Sequence, residues 1–182
     1  MKPLLVLDRD GVLNELIYDS ENGRAPRDIS EIKFLPSREE LNILEENFTL
    51  TCITNQPDIS KNRLPRDTAY IIHNEVMQHF NIRNSYMCIH DNDAKCDCRK
   101  PSTLMLTLAK ESAVSSGGVT IVGDRWTDIL AGNKLGWRTA LLERDEFTMS
   151  KTSQGAPPED LAIDIRVNSW KALIAALIGE ES

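Results

Sequence analysis

Two aspartates with one residue between them end a short apolar run in Leu7-Asp8-Arg9-Asp10-Gly11-Val12-Leu13-Asn14. Side chains of an extended strand alternate between its faces, so Asp8 and Asp10 should project to one side and Arg9 away from them. Gly11 then lets the chain turn sharply. Two carboxylates so placed can hold a cation, or divide the roles of nucleophile and general acid/base. Asp and Gly are also ordinary turn residues, so the motif alone is read as well as a solvated turn. A second acidic group, Gly123-Asp124-Arg125-Trp126-Thr127-Asp128, ends another apolar run. Asp124 comes beside Asp8 if the two strands are neighbours, and Asp128 falls in a first helical turn, where a carboxylate also serves as a cap.

Thr54-Asn55-Gln56 closes a third apolar run with a hydroxyl and two amides placed to bond phosphate oxygens. Arg99-Lys100-Pro101 sets two cations before a helix predicted to begin at Pro101, whose free N–H groups and positive dipole end suit an anion. Each has a plainer reading, a turn for Asn55 and a solvated basic pair for Arg99 and Lys100. Cys88, His90, Cys96 and Cys98 supply three thiolates and one imidazole, a full tetrahedral set with no open position, so a zinc ion held there is structural. Such a site contributes roughly 10–16 kcal/mol of binding energy, enough to order a loop without its own core. Two disulfides are the alternative for four cysteines. Cys52 stands alone in an apolar run, however, and in a reducing compartment a Cys/His cluster more often binds metal.

These residues need a scaffold, and the sequence repeats a short apolar run followed by an amphipathic stretch. Strands are predicted at 4–7, 48–53, 85–89, 119–122, 138–142 and 163–167. Helices are predicted at 36–46, 65–80, 101–113, after Gly123-Asp124 to about Leu135, and 169–178. Pro36 would lie in the first turn of its helix, and the helix from Pro101 would bury Leu104, Leu108 and Met105. Leu4 to Leu7 reads as a strand buried on both faces, as in parallel sheets. Residues 144–160, rich in Ser, Thr, Gly and Pro, read as a loop. Alternation of strands and helices implies a doubly wound α/β parallel sheet, in which ligands bind beyond the carboxyl ends of the strands. Asp8, Thr54 and Asp124 all fall there.

The 182 residues suit a single domain spanning 1–182, with a zinc loop at 88–98. Net charge is −7, which argues against general nucleic-acid binding yet allows a local basic pocket for a small anion. No apolar run is long enough to span a membrane, and the N-terminus meets Asp8 too soon for a signal peptide. A cytoplasmic monomer is expected.

Together, Asp-x-Asp-Gly, Thr-Asn-Gln, Arg-Lys-Pro and Gly-Asp-x-x-x-Asp, in this order between residue 4 and about residue 142, resemble the haloacid dehalogenase superfamily of phosphatases. The zinc loop directly before Arg-Lys-Pro resembles the subgroup of heptose 1,7-bisphosphate and histidinol-phosphate phosphatases. The spelling Asp-Arg-Asp-Gly-Val-Leu-Asn leans toward the heptose enzymes. Pro57-Asp58-Ile59, where Ser-Gly-Ile is common, and Ser37, where Gly is usual, depart from the pattern beside the substrate region.

The resemblance implies a Rossmann-like fold without a large cap domain. It implies Mg²⁺ held by Asp8, Asp124 and the backbone carbonyl of Asp10. Asp8 would be the nucleophile and Asp10 the general acid/base, while Thr54 and Lys100 stabilise the transferring phosphoryl group. Asn55, Arg99 and Arg125 would contact substrate, and Asp128 would orient Asp124 or a metal-bound water. The implied substrate is a small phosphorylated sugar. Arg24, Arg27, Arg63 and Arg66 are candidates to meet a second phosphate. Histidinol phosphate is the rival substrate, and a zinc-stabilised binding module without catalysis is the rival of another class.

Overall fold

The computed structural model describes residues 1–18, 23–143, 148–149 and 154–179. Six strands, β1 (Leu4–Asp8), β2 (Thr49–Asn55), β3 (Asn84–Cys88), β4 (Val119–Gly123), β5 (Arg138–Leu142) and β6 (Ile165–Val167), form one sheet in the order β3-β2-β1-β4-β5-β6. Every neighbouring pair is parallel. The helices are α1 (Arg38–Asn47), α2 (Arg66–His79), α3 (Leu104–Ser112), α4 (Trp126–Lys134) and α5 (Trp170–Ile178). The doubly wound sheet expected from the alternation is present.

β1 lies between β2 and β4, and all five of its residues are buried. Its alternation assigns each apolar residue to a layer. Leu5 and Leu7 join Leu41 and Leu44 of α1, Val76 of α2 and Leu173 of α5 on one face. Leu4 and Val6 join Met105, Leu106 and Ala109 of α3 and Ala131 of α4 on the other. Burying each of these leucines is worth about 1.5–3 kcal/mol, so Asp8 is anchored at the stiffest part of the sheet.

Several boundaries differ from the sequence-based expectation. α1 starts after Ser37, which caps it by accepting from Glu40 N while Glu40 accepts from Ser37 N. Pro36 therefore lies before the cap and not in the first turn. α3 starts at Leu104 rather than Pro101, because residues 97–103 bond locally, with Ser102 N donating to Arg99 O and Leu104 N to Asp97 O. It buries Met105, Leu106 and Ala109 and leaves Leu104 and Leu108 exposed. β6 covers only the end of its predicted run.

Between β1 and α1 the described residues carry one 3-10 turn, Ile29–Glu31, and no large cap. Of the loop predicted at 144–160, residues 144–147 and 150–153 lie outside the described residues. No helix among the described residues is long and apolar enough to cross a membrane.

Candidate active site

The register brings the strand-end residues together. Asp8 is level with Ile53 of β2, and Leu7 with Val122 of β4, so Thr54, near the end of β2, and Asp124, just past β4, flank Asp8 one residue further on. Gly11 has a positive φ of 84°, and a Cβ there would collide with the Asp124 carboxylate. Only glycine lets the loop after β1 pass so close to Asp124. At Gly123 a Cβ would likewise strike the side chain of Asp128.

The carboxylates of Asp8, Asp124 and Asp128 lie within 4.8 Å of one another and are all buried. The Lys100 ammonium reaches into this cluster, 2.7 Å from Asp8 Oδ1 and 2.6 Å from Asp128 Oδ1. Burial alone would depress its pKa, but the charges of Asp128 and Asp8 outweigh that and raise it, so Lys100 stays protonated. One ammonium does not balance the group. Burial raises Asp8 to about 7 against the pull of Lys100, with Asp128 adding to the rise. Burial and the charge of Asp8 push Asp124 well above the usual carboxylate range, even with Arg125 beside it. Asp124 Oδ1 is buried without a hydrogen-bond partner. Hard oxygen donors with surplus negative charge and an orphaned oxygen fit a magnesium ion.

Asp10 is held apart from that cluster by donors. Arg9 gives Nε and Nη2 to it at 3.1 Å. Asn14 Nδ2 donates at 3.0 Å, Gln56 Nε2 at 2.6 Å and Thr54 Oγ1 at 3.4 Å. Arg9 was expected to point away; instead it is almost fully buried and folds back onto Asp10. Strand alternation ends at Asp8, where β1 stops and the turn begins, so it does not govern Arg9. The backbone N–H of Arg9 donates to Asp8 Oδ1 at 2.8 Å and fixes that carboxylate. The loop itself is tied to the far end of the chain, where Trp170 Nε1 donates to Val12 O at 3.0 Å.

Asn55, expected to meet substrate, grips Lys100: its Nδ2 donates to Lys100 O at 3.2 Å, and its Oδ1 accepts from Lys100 N at 3.1 Å. It positions the ammonium and also borders the cavity. Arg125 lies on the cavity wall with Nε 3.5 Å from Asp124 Oδ2. Arg99 also reaches the cavity but is fastened to the Cys/His loop, donating Nε to Asn92 Oδ1 at 2.7 Å and Nη1 to His90 O at 3.2 Å. Asp128 accepts from Arg125 N as a helix cap and also pairs with Lys100, a partner the sequence reading does not assign to it. Gln56, read from the sequence as an amide for phosphate oxygens, is instead bonded to Asp10, and Trp170, which the sequence did not single out, holds the loop that follows.

Cys88, His90, Cys96 and Cys98 converge beyond β3. Cys88 and Cys98 sulfurs are 3.2 Å apart, Cys96 and Cys98 3.4 Å, and Cys88 and Cys96 3.7 Å. His90 Nδ1 is 3.3 Å from Cys98 and 3.6 Å from Cys88. A tetrahedron with zinc–sulfur bonds of 2.3 Å has edges of ~3.8 Å, so the four ligand atoms fit one zinc ion. Burial pushes the Cys88 thiol up to about 12, and thiols this close ionise together only against a cation. Cys52 sits apart in the core.

A cavity of about 880 Å³ opens over Asp8 and Asp10. Arg24, Arg27, Lys61, Arg63, Arg99 and Arg125 border it, against Asp58 as the acid outside the catalytic cluster. Arg66 is not on its wall; it lies over the Tyr70 ring at 5.7 Å.

Residues 97–166 match the HAD-hydrolase-like family model. The chain is 30% identical over 171 residues to the D-glycero-beta-D-manno-heptose-1,7-bisphosphate 7-phosphatase of Pseudomonas putida, covering 88% of this chain and 93% of that protein. It is 28% identical over 142 residues to the histidine biosynthesis bifunctional protein HisB of Legionella pneumophila, covering 75% of this chain but 40% of that protein. Its fold matches the crystal structure of D,D-heptose 1,7-bisphosphate phosphatase from B. bronchiseptica, complexed with magnesium and phosphate, with a TM-score of 0.75 and 28% identity over 99% of both chains. With the strand-end aspartates and the parallel sheet, these similarities establish that the chain belongs to the haloacid dehalogenase-like phosphatases, in the family that includes the heptose-1,7-bisphosphate 7-phosphatases.

Proposed function

We propose that this phosphatase removes one phosphate from a two-phosphate sugar, with a heptose 1,7-bisphosphate as preferred substrate. The observation that carries this reading is the charge of the cavity wall: beyond the catalytic carboxylates it is arginine-rich, as a second phosphate requires. Histidinol phosphate would instead bring an amine toward a wall whose carboxylate, Asp58, is already paired with Arg27 at 2.7 Å. A catalytically inert binding module has no use for a nucleophile and a second carboxylate each oriented by dedicated donors.

In the proposed reaction Asp8 attacks phosphorus in line. A bond forms from its carboxylate oxygen to phosphorus, and the bond to the sugar oxygen breaks. Asp10 delivers a proton to the departing oxygen, which leaves as a hydroxyl. Water then attacks the aspartyl phosphate, Asp10 takes its proton, and phosphate departs with Asp8 restored. Proton transfer of this kind is worth about 10²–10⁴-fold in rate. Arg9, Asn14 and Gln56 hold Asp10 in place, and Asn55 fixes the backbone that carries Lys100. Lys100 and Thr54 stabilise charge on the transferring group. Asp8, Asp124 and the backbone carbonyl of Asp10 would hold Mg²⁺, with Asp128 in the same carboxylate cluster. When bound, the ion neutralises charge that develops on phosphoryl oxygens. Zinc at Cys88, His90, Cys96 and Cys98 would be structural, holding the loop that carries Arg99. Cysteines outside any disulfide fit a cytoplasmic location, and the proposed state is a monomer.

The test is a phosphate-release panel with Mg²⁺, containing heptose 1,7-bisphosphates of both anomers, histidinol phosphate and sugar monophosphates. The bisphosphate should show the highest kcat/KM. A preference for histidinol phosphate overturns the substrate assignment.

A further inference from the structure

Among the described residues, Asp58 is the acidic residue on the cavity wall outside the strand-end carboxylates, and its partners are the wall's own cations. Its Oδ2 accepts from Arg27 Nε at 2.8 Å and lies 2.7 Å from Arg27 Nη2. Its Oδ1 faces Arg63 Nη1 only at 4.0 Å. The contact joins two loops far apart in sequence. Arg27 comes from the segment between β1 and α1, where its own N–H donates to Glu31 Oε2 at 2.8 Å. Glu31 is clamped in turn by both terminal nitrogens of Arg24 at 2.9 Å. Asp58 comes from the turn after β2, where its carbonyl accepts from Arg63 N at 2.8 Å and Leu64 N at 3.2 Å. Both backbones are thus fixed, and the side chains meet across the cavity mouth.

The geometry of the pair is incomplete. Both Arg27 nitrogens converge on one carboxylate oxygen, while the other has a single distant cation. A phosphate group has three acceptor oxygens and nearly two negative charges, so it could engage Arg27 and Arg63 together with better-matched bonds. Resting on the two-phosphate reading above, we propose that Asp58 is a specificity-determining residue. It is a resident anion that holds Arg27 and Arg63 until the remote anionic group of the substrate displaces it. A neutral remote group gains nothing from these arginines and leaves the carboxylate in place, so Asp58 sets how strongly a remote phosphate is favoured by competing with it. Affinity for a bisphosphate is lowered, since the Asp58–Arg27 contact must open first.

The test is calorimetric titration in the Asp8→Asn background, which prevents turnover, with fructose 1,6-bisphosphate and fructose 6-phosphate as probes and Mg²⁺ present. Adding Asp58→Asn should tighten the bisphosphate roughly tenfold, about 1.4 kcal/mol, and move the monophosphate less than twofold. Asp58→Ser repeats the measurement with a shorter side chain, and melting curves report whether either variant is folded. Arg27→Gln should weaken the bisphosphate, and Asp58→Asn added to it should then restore less than it gains alone. Equal effects on both probes, weaker bisphosphate binding in a folded Asp58 variant, or no bisphosphate binding by any protein overturns the proposal. The heptose panel judges the substrate reading separately, because the fructose probes do not depend on it.

Discussion

Lys100 Nζ lies 2.7 Å from Asp8 Oδ1, so the proposed nucleophile and the cation that should stabilise its phosphoryl adduct are already in contact. Removing one partner of a buried ion pair costs about 3–5 kcal/mol, because the other is left without compensation. Lys100→Met should therefore lower Tm by several degrees at pH 8 and reduce kcat at least 100-fold. A stable variant with near-normal turnover would remove Lys100 from the mechanism.

Asp8→Asn should abolish phosphate release while leaving the circular dichroism spectrum and zinc content unchanged. Asp10→Asn should slow both aspartyl-phosphate steps, and rapid acid quench should trap less product in the first turnover. Fast turnover by either variant contradicts the assigned roles.

Gln56→Ala removes the shortest donor to Asp10 without touching substrate phosphate. It should lower kcat about tenfold with KM little changed and shift the pH profile of kcat, the signature of a misplaced acid/base. An effect on KM alone would instead place Gln56 against substrate.

The raised pKa of Asp8, about 7, carries a pH dependence of stability in metal-free protein. A carboxyl whose folded pKa exceeds its unfolded value binds more protons folded than unfolded, so its contribution falls as pH rises from about 4 to 7. Buried His73, pushed down to about 4 chiefly by burial, works the opposite way in an overlapping window. Comparing wild type with Asp8→Asn cancels the histidine. With chelator present, the variant's Tm should gain on wild type as pH rises through this range, and Mg²⁺ should close the gap. A pH-independent difference counts against a strained Asp8.

Zinc should be present at one equivalent per chain, unchanged in Cys52→Ala and lowered in Cys96→Ala. Because Arg99 is held by His90 O and Asn92, zinc loss and Arg99→Ala should both reduce kcat/KM, by roughly tenfold or more for the latter. Equal zinc in the two cysteine variants refutes the ligand set.

What could be read from the sequence was whatever a strand end or a short spacing dictates. Asp8, Thr54 and Asp124 were legible because each terminates a buried apolar run, and parallel topology aligns such ends. The Cys/His cluster was legible because its members are close in sequence. Arg9 was misplaced because strand alternation was extended one residue beyond the strand. The start of α3 was misplaced because Pro101 resembles a first helical residue, although local turns occupy 97–103. Leu104 and Leu108 have the same spacing as Met105 and Ala109, so periodicity alone could not select the buried stripe. Gln56 on Asp10 and Asp58 on Arg27 bridge distant segments, and no local pattern encodes which partner an amide or carboxylate in a loop will find.

The Trp170–Val12 hydrogen bond links the loop after the first strand to the start of the last helix. During synthesis the residues that attack and transfer protons emerge from the ribosome first, yet a contact that secures their loop waits until α5 is made. β1 also remains unpaired on one side until β4 follows. The nascent enzyme therefore carries an exposed central strand until β4 is made and an unfastened loop until α5 is made, so activity should arise abruptly once α5 has emerged. Stalled ribosomes displaying chains halted before α5 should bind holdase chaperones and release no phosphate.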